Sequence, residues 1–271
     1  MAFTRFDRLM IASVPGRSTL IWSGISAVSF LLLWSFVSII VDSPLILPSP
    51  LSTLERFAII ITGKSFIRII ASSGLRILGS FSIALFTGIA FGIPAGIWLR
   101  FEQLLSAPMR VMRAVPTMGI ILLSLIWLDS EGAPYLVCAL VILPLLYGGM
   151  VSSIRSIDSD LRDLHRIYEI PFLRKVLKFY LPAVLPSFRG SLAAALGLNV
   201  KVMIAAEVLS QPSIAIGTSF QIARAQLDTA GVFAWCFIVI LMSSALDALL
   251  KILLPAAPEE SLRNRTSKSE E

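Results

Sequence analysis

Long apolar runs alternate with short polar connections along the whole chain. Leu20–Val41, Ile77–Leu99, Ala133–Ile154, Gly190–Leu209 and Ala230–Leu253 are almost free of charge, and each approaches or exceeds the ~20 residues a helix needs to cross a bilayer. A sixth run, Ala114–Leu128, is shorter and ends at the polar tip Asp129-Ser130-Glu131-Gly132. None alternates with the period of two that a barrel strand requires. The pattern predicts an all-α, polytopic transmembrane bundle of about six spans. Residues 1–19 form a short polar N-terminus, 20–254 the membrane domain, and 255–271 a mixed-charge tail expected to be disordered. Leu20–Val41 is longer than a signal-peptide core and the following DSPLILPSP offers no small-x-small cleavage site, so it reads as a retained anchor.

Between the spans, Leu51–Gly74 mixes apolar residues with Glu55, Arg56, Lys64 and Arg68 and is expected to lie along the interface. Arg100–Arg113 and Ser210–Thr229 read as loops, and the Leu181-Pro182 step as a turn back toward apolar sequence. Gly88, Gly92 and Gly96 recur every fourth residue and share one helix face. That face suits either close helix packing in lipid or a hinge at Gly92-Ile93-Pro94.

Composition agrees: 56% of the 271 residues are apolar, 15% are charged, and the mean hydropathy is +0.84. A net charge of +6 could suggest nucleic acid, but the basic residues sort by loop. The N-terminus holds three, the Arg100–Arg113 stretch three, Arg155–Arg189 seven, and Lys251 with the tail four, which places 17 of 23 on one face. The positive-inside rule makes that face, with both termini, cytoplasmic. Cys138 and Cys236 lie inside apolar runs and read as small buried hydrophobes.

The most polar internal stretch, Asp160–Pro186, sits within the seven-cation loop 155–189. Leu161, Leu164 and Ile167 or Tyr168 recur at helical spacing and give it one apolar face. It is either a plain cytoplasmic loop or a helix docked in a partner's groove. Catalytic chemistry finds little footing. In AIIITGKS, Ala58–Ser65, three isoleucines occupy a loop that should cradle phosphate. His165, the sole histidine, has no second ligand for a metal, and no catalytic set can be assembled, so neither enzyme, metal nor cofactor is expected. Lys201 is different. It lies roughly 18 Å along the helix from Arg189, near mid-membrane, where a lysine costs at least about 2.5 kcal/mol. It is either ion-paired to another helix or part of a polar path, with Asn199 and Glu207 on the same helix. Glu207 is six residues on and about 240° round, too far for direct pairing.

At these residues the sequence resembles the membrane permease subunits of bacterial ABC importers, in the branch serving nitrate, taurine, sulfonates and thiamin-precursor pyrimidines. The family's cytoplasmic loop reads E-A-A, then glycine, then Leu-Pro. Alignment on Leu181-Pro182 sets Asp163-Leu164-His165 at the triplet and Glu169 at the glycine, so only Leu-Pro and an acid are kept. Leu47-Pro48-Ser49-Pro50, Leu75-Arg76, Gly79, Phe81, Ala114-Val115-Pro116, Ala205-Ala206-Glu207, Gly217, Asp228-Thr229 and Phe233-Ala234-Trp235 continue the likeness. The resemblance implies a half-pore in the inner membrane. A second permease subunit would complete it, two ATPase subunits would dock at Asp163, Leu164, His165, Glu169, Leu181 and Pro182, and an extracytoplasmic solute-binding protein would deliver the solute. Asn199, Lys201 and Glu207 are the candidates for the translocation path, and Lys201 leans the solute toward an anion. An ion-coupled secondary transporter or channel, or a membrane scaffold, would need no ATPase.

Overall fold

The computed structural model describes residues 17–157 and 180–254, whose regular elements are all helices. They are α1 (Arg17–Val41), α2 (Pro50–Thr62), α3 (Phe66–Ile97), α4 (Leu99–Ala114), α5 (Thr117–Trp127), α6 (Ala133–Arg155), α7 (Leu181–Ser210), α8 (Ile216–Ala225) and α9 (Thr229–Leu253). Helices α1, α3, α6, α7 and α9 are long and apolar enough to cross a membrane, and α4 with α5 forms a pair bent by 98°. The described residues thus hold five candidate crossings, or six where the bent pair counts as one broken span, against the six expected.

Helices α3, α6 and α7 make the core, because that is where small residues let backbones approach. Gly88, Gly92 and Gly96 of α3 face Leu146, Met150 and Ile154 of α6. A Cβ on Gly92 would stand 2.7 Å from the Met150 Cβ, and one on Gly96 2.8 Å from the Ile154 Cβ. The matched four-residue spacings on both helices are ridge against groove. Packing is what this glycine row does here. Along the contact, Ile142, Leu146, Met150 and Ile154 are almost wholly buried, with Val184, Val200 and Met203 of α7 completing the cluster.

Four boundaries depart from the sequence reading. The stretch expected along the interface, Leu51–Gly74, divides into α2 and the opening turns of α3. Ser49 caps α2, its hydroxyl accepting from Ser52 N–H at 3.1 Å with Pro50 beginning the helix. Arg100–Arg113 is helix, not loop: Phe101, Leu105, Met109 and Met112 fall on one face and pack against Leu143, Tyr147 and Val151 of α6. Consequently α5 keeps only 11 residues, roughly 16 Å of rise, too short to span alone. The Ser210–Thr229 connection contains α8, entered through Gln211 in the left-handed region at φ 50°. Finally, α7 begins at Leu181 rather than near Gly190, with Pro182 in its first turn where a missing N–H costs nothing.

The outer helices touch the core sparsely. None of the apolar span of α1 is buried and only 6% of that of α9. Trp34 joins them, donating to the Pro48 carbonyl at 3.1 Å and stacking on Phe233 and Phe237. Cys138 is buried as expected, whereas Cys236 is exposed on α9, since that helix presents most of its surface outward. The Ala58–Ser65 run is the end of α2 and a turn, with no strand leading into it.

The glycine contact gives a paired test on one helix. Gly92→Leu is expected to lower stability by about 1–3 kcal/mol, since Met150 must move. Gly74→Ala, where a Cβ meets nothing within 4 Å, should be neutral or slightly stabilising. Thermal unfolding of the purified protein in detergent reads both.

Candidate functional site

Two of the three intramembrane candidates are sealed between helices. Asn199 is fully buried, donating to the Ile77 carbonyl at 2.8 Å and accepting from Ser80 Oγ at 3.2 Å. It fastens α7 to α3. Glu207 is also fully buried, and every group around it donates. Ser73 Oγ lies 2.8 and 2.9 Å from its two oxygens, Arg76 Nη1 is at 3.2 Å, and the Gly217 N–H is at 3.1 Å. That last donor belongs to the first turn of α8, so the carboxylate sits where the helix dipole favours negative charge. Gly217 has to be glycine because a Cβ there would run into Glu207 Cβ and Val208 N.

Arg76 extends the network outward. Buried to 5% exposure, it donates to the Ile214 carbonyl at 3.0 Å and pairs with Glu131 through Nη2. Glu131 in turn accepts from the N–H and hydroxyl of Ser213, both at 2.8 Å. Burial pushes the Glu131 carboxyl upward, but Ser213 and Arg76 together outweigh it and hold it below its ordinary value. A separate pair, Arg56 with Asp228 at 2.5 Å, ties α2 to the N-terminus of α9, whose Gly231 N–H Asp228 caps.

Lys201 stands on the other side of α7. It is exposed, and among the described residues no ion pair reaches it. Gly190, Ala194, Leu198, Lys201 and Ala205 recur at spacings of three and four and make one outward stripe, small except for Leu198 and the lysine. A cavity of about 660 Å³ meets the stripe at Leu198 and is lined also by Arg113, Thr117, Val141, Leu145, Gly148 and Ser191. Lys201 itself stands on the stripe outside that lining. No group of three His, Cys, Asp or Glu side chains that could hold a metal ion occurs among the described residues.

Residues 88–257, more than half of the chain, match the family described as the binding-protein-dependent transport system inner membrane component. The chain belongs to that family. This permease subunit is 30% identical over 143 residues to the nitrate import permease protein NrtB of Leptolyngbya laminosa, covering 52% of this chain and 51% of that one. It is 27% identical over 248 residues to the taurine transport system permease protein TauC of Escherichia coli, covering 86% and 88%. Likeness to the bicarbonate transport system permease protein CmpB of Synechococcus elongatus is 25% over 144 residues, 52% and 51% of the two chains. The chain thus spans about half the length of the nitrate and bicarbonate relatives and most of the taurine one.

Of the permease's expected ATPase-docking residues, Asp163, Leu164, His165 and Glu169 lie outside the described residues, as does the 255–271 tail. Leu181 and Pro182 open α7, which links that loop directly to the helix carrying Asn199, Lys201 and Glu207. Sequence reasoning missed Ser73, Arg76 and Glu131. The available signal was Arg76 itself, a cation set between the apolar residues Leu75 and Ile77 that needed a buried acid somewhere.

Removing one partner of a buried pair strands the other, at roughly 3–5 kcal/mol. Arg76→Met should therefore destabilise the permease by that order in denaturant unfolding, and Glu207→Gln, which removes the charge and turns an amide donor toward the surrounding donors, should destabilise it as well. The Glu131 contribution is present above its unfolded value near 4.5 and lost as pH falls through its lower folded value. The melting temperature should accordingly drop on acidification below about pH 4.5, and Glu131→Gln should flatten that part of the profile.

Proposed function

We propose that this permease forms half of the translocation path of an ATP-driven importer for a small oxyanion, with Lys201 as the cation that attracts the solute. The exposure of Lys201 carries the reading. A lysine at this depth facing hydrocarbon is costly, and the outward stripe of small residues around it suits a second copy of the same helix across a narrow aqueous path. Two copies then bring two lysines to one route. Nitrate, taurine and bicarbonate, named for the relatives, each bear oxygen-rich groups that such a site attracts.

Two ATPase subunits grip the cytoplasmic stretch around Asp163, Leu164, His165 and Glu169, and a binding protein delivers solute at the opposite face. Both termini lie on the ATPase side. Because Leu181 and Pro182 begin the helix that bears Lys201, a displacement of the loop moves the lysine stripe directly, which is the two-state element that alternating access needs.

The decisive experiment is ATP-dependent uptake of nitrate, taurine and bicarbonate in vesicles containing the permease, its ATPase and its binding protein. Lys201→Met should lower uptake at least tenfold, with Lys201→Arg retaining most of it. Transport by Lys201→Met at the wild-type rate would sink the assignment, and uptake without the ATPase would point to an ion-coupled carrier. In the same assay, Asp163→Lys or Leu164→Asp should abolish uptake while the protein remains in the membrane.

A further inference from the structure

A second cavity, of about 380 Å³, lies between α4 and α6 at the arginine-rich end of the bundle. Its walls include Glu102, Ser106, Arg110, Arg113, Tyr147 and Arg155. Three guanidinium groups face one carboxylate, and Glu102 is already engaged by Arg155. Among the described residues Arg110 bonds only Ser106 of its own helix, at 3.2 Å to the carbonyl. Arg113 is held from beneath: Nη2 donates to the Pro144 carbonyl at 2.9 Å, and a Cβ on Gly148 would stand 2.9 Å from that nitrogen. A larger residue at Gly148 would push the guanidinium aside, and the remaining donors of Arg113 are left for the cavity.

The Tyr147 hydroxyl completes the set. The residue is 95% buried in the cavity wall, at 5% exposure, and its oxygen has no hydrogen-bond partner among the described residues. Buried polar groups are rarely left this way without a ligand or ion to satisfy them. Its charged neighbours are Arg113, Arg155 and the Arg155-paired Glu102, and its proton is available to an acceptor.

We propose that the α4–α6 cavity binds a single oxyanion group, sulfonate- or phosphate-like, held by Arg110 and Arg113 with a hydrogen bond from Tyr147. Guanidinium forks suit such groups because two parallel N–H bonds match two oxygens. The cavity shares Arg113 and Gly148 with the one beside the Lys201 stripe, so a free solute anion could arrive by that route. A phospholipid headgroup could supply the same chemistry from the bilayer. The inference goes beyond the transport reading and does not depend on it, since it concerns binding to the permease alone.

The test uses the full-length permease in phosphatidylcholine nanodiscs, without ATPase or binding protein. One arm titrates sulfate at constant ionic strength by calorimetry. The other scores phosphatidylglycerol retained against phosphatidylcholine by native mass spectrometry. Saturable binding of one ligand per chain is expected in at least one arm, and the arm that responds identifies the source. Tyr147→Phe should weaken that binding about fivefold and Arg110→Gln about tenfold, whereas Lys251→Gln, on distant α9, should leave it unchanged. Arg110 is exposed and bonds only within its own helix, so misfolding would not mimic its loss. No binding in either arm, or equal weakening by Lys251→Gln, or binding untouched by both Tyr147→Phe and Arg110→Gln, would overturn the site.

Discussion

The buried carboxylate of Glu207 is the constraint on which the outer half of the bundle depends. A charge removed from water must be met by donors from its surroundings, and those donors arrive from two elements to bind a third. Ser73 and Arg76 come from α3, Gly217 from α8, and Glu207 itself from α7. None of these helices can rotate or slide without stranding the charge. Ser73 serves twice, since its oxygen also accepts the Ile216 N–H at 2.9 Å. Arg76 then carries the constraint to Glu131 and Ser213, so the turn before α6 and the turn before α8 are fixed by the same ion. Such a network specifies one arrangement more than it adds net stability.

The opposite half is held by shape. Between α3 and α6 no charge is buried, and the contact rests on glycines opposite Leu146, Met150 and Ile154. In lipid there is no hydrophobic gain in bringing two apolar helices together, so close backbone approach and dispersion must supply the attraction. The two devices meet along α3. Its first half carries Ser73, Arg76 and Ser80, and its second half carries Gly88, Gly92 and Gly96.

This division explains what the sequence could and could not tell. Apolar runs and a four-residue glycine row are one-dimensional patterns, so five spans and the α3 packing face were readable from letters alone. The α4 helix was readable too. Phe101, Leu105, Met109 and Met112 have helical spacing, but three arginines drew attention to charge instead of period. The partner of Arg76 was not readable, because Glu207 lies 131 positions away and nothing local marks which acid folds back to it. Likewise α5 looks like part of a span until the bend at Val115-Pro116 is known. The docking stretch from Asp163 to Glu169 lies outside the described residues, so its reading still rests on sequence and resemblance.

Helix α7 separates two kinds of polar residue by rotation alone. Asn199 and Glu207 turn inward and find protein partners. Lys201, two residues from the first and six from the second, is swung about 200° and 240° away respectively and turns outward. Its amine cannot reach either end of α7, because Leu181 and Ser210 are roughly 30 and 14 Å away along the axis and the four-carbon stem is shorter. Nor do its neighbours on the stripe, Gly190, Ala194, Leu198 and Ala205, offer an acceptor side chain. The inward residues have their hydrogen bonds within one chain, whereas the outward lysine must take its own from water, a solute or another subunit. A residue that is structurally complete resists motion, and one that is incomplete responds to what approaches it. The same helix therefore anchors the bundle on one face and leaves a cation to its surroundings on the other.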